Sequence, residues 1–543
     1  MTDLSQASQR KRPSRLAIGI TVGVVVAVFI LTWISALRRP FFDDDWGYLS
    51  TVQQPGWWHS SGIWNPGSGL YRPVLYFWFG GLHSVFGLHS FAFHVATLAV
   101  VFVVGVLTWR VAVVAGLNRG ALVAGAFVLL SSTVAYPISW AAAASSPISV
   151  ALALGAILVL LGRSITIPRA VVAGLLLTLG LLTREVVIVA PAVVVVVAWA
   201  RPGGRLGDAL LRSLPLWIVD IGYSVLRAAS GAGNPSGPYH QQMSSQALNN
   251  LGTLIERAFN VFGTQFQQWP VAITGLITLV MAAALMWSLA RHQYILLGGL
   301  VWFGLGTLPV VFLVNHPPDP YYVDFALPGL ALAVGAACEL ATERFSGKIA
   351  VAAGLVVLVA LGIAGNAASN REFTSEYGPD ITETHRLLAQ VDASYPTHPS
   401  GAEVIVIRST QIARDEQEVT AWGNLFRIVF HDSLLRVEIV PWATDKTPPL
   451  VRLVKPKNGA ELKGTQWFVA SAASDFGVIR VRFQIVGPND VKSNINAATS
   501  PFGWLGEWTT TAVPDGTYTV SCQATDSTGL TSVSSGIEVR VAN

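Results

Sequence analysis

Eleven apolar runs fill most of residues 1–367 of this 543-residue chain: 16–37, 91–109, 121–138, 146–162, 170–183, 186–200, 213–229, 270–290, 294–314, 323–342 and 349–366. A helix needs roughly 20 such residues to cross a bilayer, and a backbone in hydrocarbon must satisfy its own hydrogen bonds. Runs this long without alternation are helical, so the sequence predicts a polytopic α-helical membrane protein of about eleven spans. Charge agrees: 12% of residues are charged, against about 25% in soluble domains.

The charge deficit is confined to one part of the chain. Residues 1–367 hold 20 Lys and Arg and 12 Asp and Glu, whereas the last 176 residues hold 15 and 19. The predicted organisation is therefore a membrane domain over 1–367, a small extracytoplasmic α/β region over 368–446 and a β-sandwich over 447–543. The α/β region combines a helical stretch at 381–391 with strand-like runs at 403–408 and 435–440. Short alternating strands at 451–454, 467–470, 478–486, 517–524 and 536–541, separated by turn signals such as Pro514-Asp515-Gly516, predict the sandwich.

Cations orient the membrane domain. Arg10, Lys11, Arg12 and Arg15 precede the first run, which places the N-terminus in the cytoplasm. That run is too long for a secretory signal and no A-x-A cleavage site follows it, so it is an anchor. Alternating spans then put Arg110, Arg119, Arg163, Arg169, Arg201, Arg205, Arg212, Arg291, Arg344 and Lys348 inside, and the C-terminal domains outside a plasma membrane. In total 14 of the 20 membrane-domain cations fall inside. The stretch 170–200 is too long for one helix and short for two; two short helices meeting at Arg184-Glu185 keep the charge rule. The net charge is +4 with no Lys/Arg block, so no nucleic-acid partner is expected. Cys338 and Cys522 form neither a disulfide framework nor a zinc site.

The few charges left on the outer side carry the chemistry. After the first span come Asp43, Asp44, Asp45 and then Tyr48; clustered carboxylates repel and raise one another's pKa. Such a group acts as a general base or holds a divalent cation, or it is simply a solvated acidic loop. Arg72, Arg184 and Arg227 suit a phosphate; their structural alternatives are lipid headgroups or pairing with Glu185 and Asp220. Asp220, inside the seventh run, is a further candidate. His94 reads as a packed helix residue. No His, Cys and acid cluster has metal-cage spacing, although two carboxylates with a substrate phosphate can hold Mg²⁺ or Mn²⁺. The polar loop 230–250 precedes an amphipathic stretch at 251–266 that is suited to the outer interface.

Asp44-Asp45-x-x-Tyr48 after the first span resembles the acidic-pair loop of the C-type (GT-C) glycosyltransferases, which include protein O-mannosyltransferases and the lipid A aminoarabinose transferase. Tyr71-Arg72-Pro73-Val74, Phe86-Gly87-Leu88 and Phe93-His94-Val95 are similar to that superfamily's "RPL…FGL…HL" stretch. Thr183-Arg184-Glu185 followed by Pro191 is similar to its "SKE…P", and Tyr223-Ser224-Val225-Leu226-Arg227 to its "Y-x-x-L-R". Two elements depart: Tyr136-Pro137-Ile138-Ser139-Trp140-Ala141 stands where "HPVHVE" is frequent, and Pro320-Tyr321-Tyr322 replaces a late "RY". The resemblance implies a GT-C-like fold and transfer of a hexosyl or pentosyl group from a polyprenyl-phosphate donor to an extracytoplasmic glycan, lipid or protein. It implies Asp44 as the base, Asp45 assisting by positioning or metal binding, and Arg72, Arg184 and Arg227 at the donor phosphate. Asp43, Tyr48, Glu185 and Asp220 stand as possible support. The alternatives are a transporter or flippase of lipid-linked glycans, or a non-catalytic surface protein. Pro449-x-Val451, Pro456-x-Asn458-Gly459 and the turn at 514–520 resemble bacterial Ig-like modules, which space or bind.

Overall fold

The computed structural model describes residues 15–68, 71–162, 164–232, 240–259, 271–314, 318–344, 347–394, 404–409, 424–425, 428, 436–441, 447–474, 477–488, 491–500, 503–526 and 529–543. Arg10, Lys11, Arg12, Arg163 and the second half of the 251–266 stretch, together with 233–239 of the polar loop, lie outside them.

The helices are α1 (Arg15–Trp33), α2 (Asp44–Val52), α3 (Pro73–Phe86), α4 (Ser90–Ala115), α5 (Arg119–Leu130), α6 (Ala135–Ser139), α7 (Ser145–Leu160), α8 (Ile167–Leu181), α9 (Ala190–Ala200), α10 (Leu206–Ala229), α11 (Gln246–Ala258), α12 (Val271–Ala290), α13 (Tyr294–Val311), α14 (Leu327–Arg344) and α15 (Gly347–Ser394). Every one of the eleven apolar runs is helical. Among the described residues, seven segments are long and apolar enough to cross a membrane: Ser90–Ala115, Arg119–Ser139, Ala141–Leu160, Leu206–Ala229, Ile273–Ala290, Tyr294–Val311 and Val351–Arg371. The other four runs give shorter apolar helices, Val22–Trp33, Ile167–Leu181, Glu185–Ala200 and Leu327–Thr342. As expected, 170–200 is two short helices. α8 stops at Leu181 and α9 starts at Ala190, with a 3₁₀ turn at Glu185–Val189 between them.

Small residues let the helices approach. A Cβ on Gly120 of α5 would come within 2.0 Å of the Gly335 carbonyl of α14, and one on Gly299 of α13 within 2.5 Å of the Ala333 nitrogen. Without a hydrophobic drive between helices in lipid, such backbone-to-backbone contact supplies the packing. Two buried tryptophans add cross-helix bonds, Trp33 Nε1 to Leu129 O and Trp302 Nε1 to Phe325 O, each 3.0 Å.

Two of the cations expected at the inner end, Arg201 and Arg212, cap a helix. Arg212 Nη1 donates to Leu160 O (2.8 Å) and Gly162 O (2.7 Å), and Arg201 Nη1 to Leu161 O (3.1 Å), meeting the carbonyls that α7 leaves unpaired at its C-terminus. Asp208 holds both arginines, at 2.7 and 3.1 Å. At the same end the Glu339 carboxylate accepts from the Asn118 and Gly120 amides and caps α5.

The composition change near residue 367 does not break the backbone. α15 runs through it for 48 residues with Pro379 inside its span, because a helix can leave an apolar medium while keeping its internal bonds. Beyond it, β1 (Val404–Ser409) and β2 (Arg436–Pro441) pair in parallel, matching the two strand-like runs. The C-terminal strands are β3 (Leu450–Lys455), β4 (Glu461–Leu462), β5 (Thr465–Ala473), β6 (Val478–Val486), β7 (Lys492–Asn496), β8 (Ala498–Ser500), β9 (Gly503–Thr509), β10 (Gly516–Asp526), β11 (Thr531–Val533) and β12 (Ile537–Val541). Two sheets, β4-β12-β10-β6-β7 with β11 beside β10 and β3-β5-β9-β8, enclose Phe468, Phe483, Trp504, Trp508, Tyr518 and Cys522. Tyr518 Oη donates to Pro514 O at 2.7 Å, fixing the turn into β10 as tyrosine corners do.

Candidate functional site

The acidic triplet sits on a sharp turn. Asp43 takes φ 48°, ψ −127°, a conformation costly for a residue with a Cβ, and α2 starts directly after it. Asp44 and Asp45 therefore occupy the first turn of α2, where the unpaired amides favour negative charge. The two carboxylates then diverge. Asp45 is fully buried: Oδ2 accepts the Phe42 amide at 3.2 Å and Oδ1 accepts the Ala142 amide at 2.7 Å. It ties the start of α2 to the 3₁₀ turn Ala141–Ala144. Burial holds its carboxyl well above the usual aspartate value of 3.8, against the pull of those two amides and reinforced by Asp43 and Asp44.

Asp44 keeps an exposed side chain, yet protein encloses it closely enough that burial raises its carboxyl above 3.8, with Arg72 drawing it partly back. It thus opens into a recess rather than onto free surface. Arg72 is the residue immediately before α3, and it hydrogen-bonds the hydroxyl of Tyr48, one helical turn after Asp44. Tyr48 stacks on Phe79 at 4.9 Å and meets Tyr76 at 4.9 Å. Beneath α2 a small apolar core of Phe41, Leu49, Leu75, Phe79 and Phe93 keeps it from moving.

The other arginines reach the same end of the bundle. The Val74 amide donates to Leu182 O at 3.2 Å, which seats the start of α3 against the α8–α9 break carrying Arg184 and Glu185. The charges of Glu185, Arg227 and Arg72 all act on the Tyr223 hydroxyl, so these groups, from three separate stretches of chain, converge. Arg227 is half-buried: Nη1 donates to the Pro66 and Ser68 carbonyls, and the guanidinium lies 6.0 Å from the Tyr71 ring. Arg184, 3% exposed, points Nη1 at Ser145 Oγ (3.4 Å) and lies 4.4 and 4.9 Å from the rings of Tyr321 and Tyr322. Residues 142–145 link the two halves of the site, since Ala142 binds Asp45 and Ser145 faces Arg184.

Asp220 stays apart. It is 4% exposed in α10, and neither carboxylate oxygen has a hydrogen-bond partner among the described residues. The pairing with Arg184 considered from the sequence is not formed. Arg39, four residues before the triplet, turns away to Asn370 Oδ1 and lies 3.6 Å from the Phe373 ring. His94 is buried with Nε2 2.9 Å from Arg39 O, a packed helix residue as expected. Sequence reasoning missed Asp324, which is buried within electrostatic reach of Arg184. The signal was available, because an acid at the start of an apolar run is as costly as Asp220.

Of the acidic pair, Asp44 alone is open to a divalent metal beside a substrate phosphate. Mg²⁺ or Mn²⁺ needs one or two carboxylates besides phosphate oxygens. Here Asp45 is spent on two amides and a guanidinium stands beside Asp44. Among the described residues no three His, Cys, Asp or Glu side chains cluster to hold a metal. Arginine supplies the positive charge in this recess.

Residues 449–522 match the bacterial Ig domain family, in agreement with the two-sheet sandwich. No curated protein matches the chain. Among solved structures, ArnT from Cupriavidus metallidurans in the apo state is similar over 79% of this chain and 87% of its own, at 13% identity and a TM-score of 0.43. The same protein bound to undecaprenyl phosphate gives 11% identity, 80% and 87% coverage and a TM-score of 0.40. The apo oligosaccharyltransferase of Archaeoglobus fulgidus is similar over 80% of this chain at 13% identity and a TM-score of 0.45, and the chain spans 65% of its length. At these scores the overlays are partial.

Proposed function

We propose that this chain is a membrane glycosyltransferase that moves a sugar from a polyprenyl-phosphate donor to a hydroxyl-bearing acceptor on the outer side of the plasma membrane. The observation that supports it is the recess in which one exposed carboxylate, Asp44, faces Arg72, with Arg227 and the Arg184–Glu185 turn joined to it through Tyr223 and Val74. A base and several cations at one end of an apolar bundle suit a reaction that deprotonates a hydroxyl and releases a phosphate.

The step balances as a single displacement. The acceptor hydroxyl gives its proton to the Asp44 carboxylate while its oxygen bonds to the anomeric carbon. The bond from that carbon to the phosphate oxygen breaks, and its electron pair leaves with the polyprenyl phosphate. Arg72 and Arg227 stabilise the departing charge, which guanidinium groups bind through two parallel N–H donors. Asp45 holds the start of α2 so that Asp44 is aimed correctly; it touches neither substrate. Arg184, deeper and stacked on two tyrosines, shapes the lower wall.

The deciding experiment is Asp44→Asn in purified protein supplied with extracted lipid-linked donor and envelope acceptor. Gel filtration and thermal unfolding are expected to match the parent, while transfer falls by at least about a hundredfold, the usual scale for removing a general base. Undiminished transfer by the folded variant refutes the assignment.

A further inference from the structure

Helix α13 carries Pro309 in its last turn and leaves its final carbonyls without intrahelical partners. Three separate pieces of chain supply the donors. Gln241 Nε2 reaches Pro309 O (3.0 Å) and the Gln242 amide reaches Phe312 O (2.9 Å). Asn250 Nδ2, from α11, reaches Val311 O (2.9 Å) and Leu313 O. The third donor comes from the Ig-like unit: Lys455 Nζ, at the end of β3, lies 3.3 Å from Val314 O. In return the Val314 amide donates to His240 O at 3.1 Å, and the His240 ring lies 6.2 Å from the ring of Trp467 on β5. β3 and β5 are neighbours in one sheet, so both contacts come from a single face of the sandwich.

A lysine is the right residue for this position. The C-terminal end of a helix carries partial negative charge, and an ammonium near it is favoured. Lys455 accepts a penalty to be there, since burial together with neighbouring Lys457 pulls its pKa below the usual lysine value. A freely tethered module would leave that ammonium in water.

We propose that the Ig-like unit is docked on the membrane domain as a clamp: Lys455 and Trp467 hold the strap 240–242 against the end of α13. The strap follows α10 in the chain, and α10 carries Arg227 of the recess in its last turn. Its bearing on transfer rests on the function proposed above; the docking itself does not.

The test uses the full chain in lipid nanodiscs, without sugar donor. In a Cys338→Ala, Cys522→Ala background, His240→Cys with Trp467→Cys is treated with a short bismaleimide and digested. The joined peptides are expected, and the pair His240→Cys with Val486→Cys, on β6 of the other sheet, is expected to stay unjoined. Equal joining of both pairs, or of neither, overturns docking. As a second measurement, hydrogen exchange of peptides containing Gln242 and Val314 is expected to quicken about tenfold in Lys455→Ala, Trp467→Ala, because their hydrogen bonds open by local release. Unchanged exchange overturns the clamp even where transfer activity is absent for other reasons.

Discussion

At the scale of single residues, Asp44 and Asp45 are adjacent in sequence, share one helix turn and do different work. Two amides commit Asp45 to holding the backbone, whereas Asp44 opens to the recess beside Arg72. This division sets the pH behaviour. A base must be ionised to act, and burial raises the Asp44 carboxyl above 3.8. On the proposed function, transfer is therefore expected to rise with pH through an apparent pKa above the ordinary aspartate value. The Arg72 cation lowers that value, so Arg72→Gln is expected to move the acid limb of kcat/KM to higher pH besides slowing the reaction. A limb that stays in place in Arg72→Gln breaks the Asp44–Arg72 link. Stability carries the opposite sign: carboxyls raised by burial, Asp44 and Asp45, stabilise the fold below their unfolded value, and this is lost as pH rises through their folded values.

The elements are held by backbone contact at small residues and by charged caps, both of which act where lipid offers no hydrophobic drive. Gly335 of α14 faces Gly120 of α5 so closely that an added Cβ would lie 2.5 Å from the Gly120 carbonyl, while one added to Gly304 of α13 would meet nothing within 4 Å outside its own stretch of helix. Gly335→Leu is expected to cost about 1–3 kcal/mol from overpacking and Gly304→Leu close to nothing. Thermal unfolding of both variants in the same detergent reads the contrast, and equal midpoints would show that the crossing is not close-packed. The length and position of the apolar runs were readable because hydrophobicity over 15–20 residues is a local property. The break at 182–189 was readable from Arg184-Glu185 for the same reason. Strands β4, β7, β8, β9 and β11 were not, being short or dependent on pairing partners across the sandwich.

Over the whole molecule, Asp44, Arg72, Arg184 and Arg227 lie at one end of the bundle and the Arg201–Asp208–Arg212 caps at the other. The Ig-like unit contacts the end of α13 on the site side. Cysteine labelling checks this arrangement against the bilayer. Exposed Ser61→Cys near the site and Thr531→Cys on the sandwich are expected to react with an impermeant maleimide in intact cells. Arg205→Cys, at the opposite end, is expected to react only after permeabilisation. Labelling of Arg205→Cys in intact cells would invert the topology and remove the site from the outer face.

The sequence by itself determined the helical runs, the sandwich and a short list of charges too costly to be accidental. Those follow from hydrophobicity, turn residues and charge, which are properties of neighbours along the chain. Tertiary structure alone decided which charge stands beside which. It put Arg72 beside Asp44 and turned Arg39 to Asn370, gave both oxygens of Asp45 to amides, left Asp220 without a hydrogen-bond partner among the described residues and brought Asp324 within reach of Arg184. The reason is physical: a carboxylate's role is set by the few groups within hydrogen-bonding or Coulombic reach, and here those groups come from stretches as far apart as residues 45 and 142, or 184 and 324.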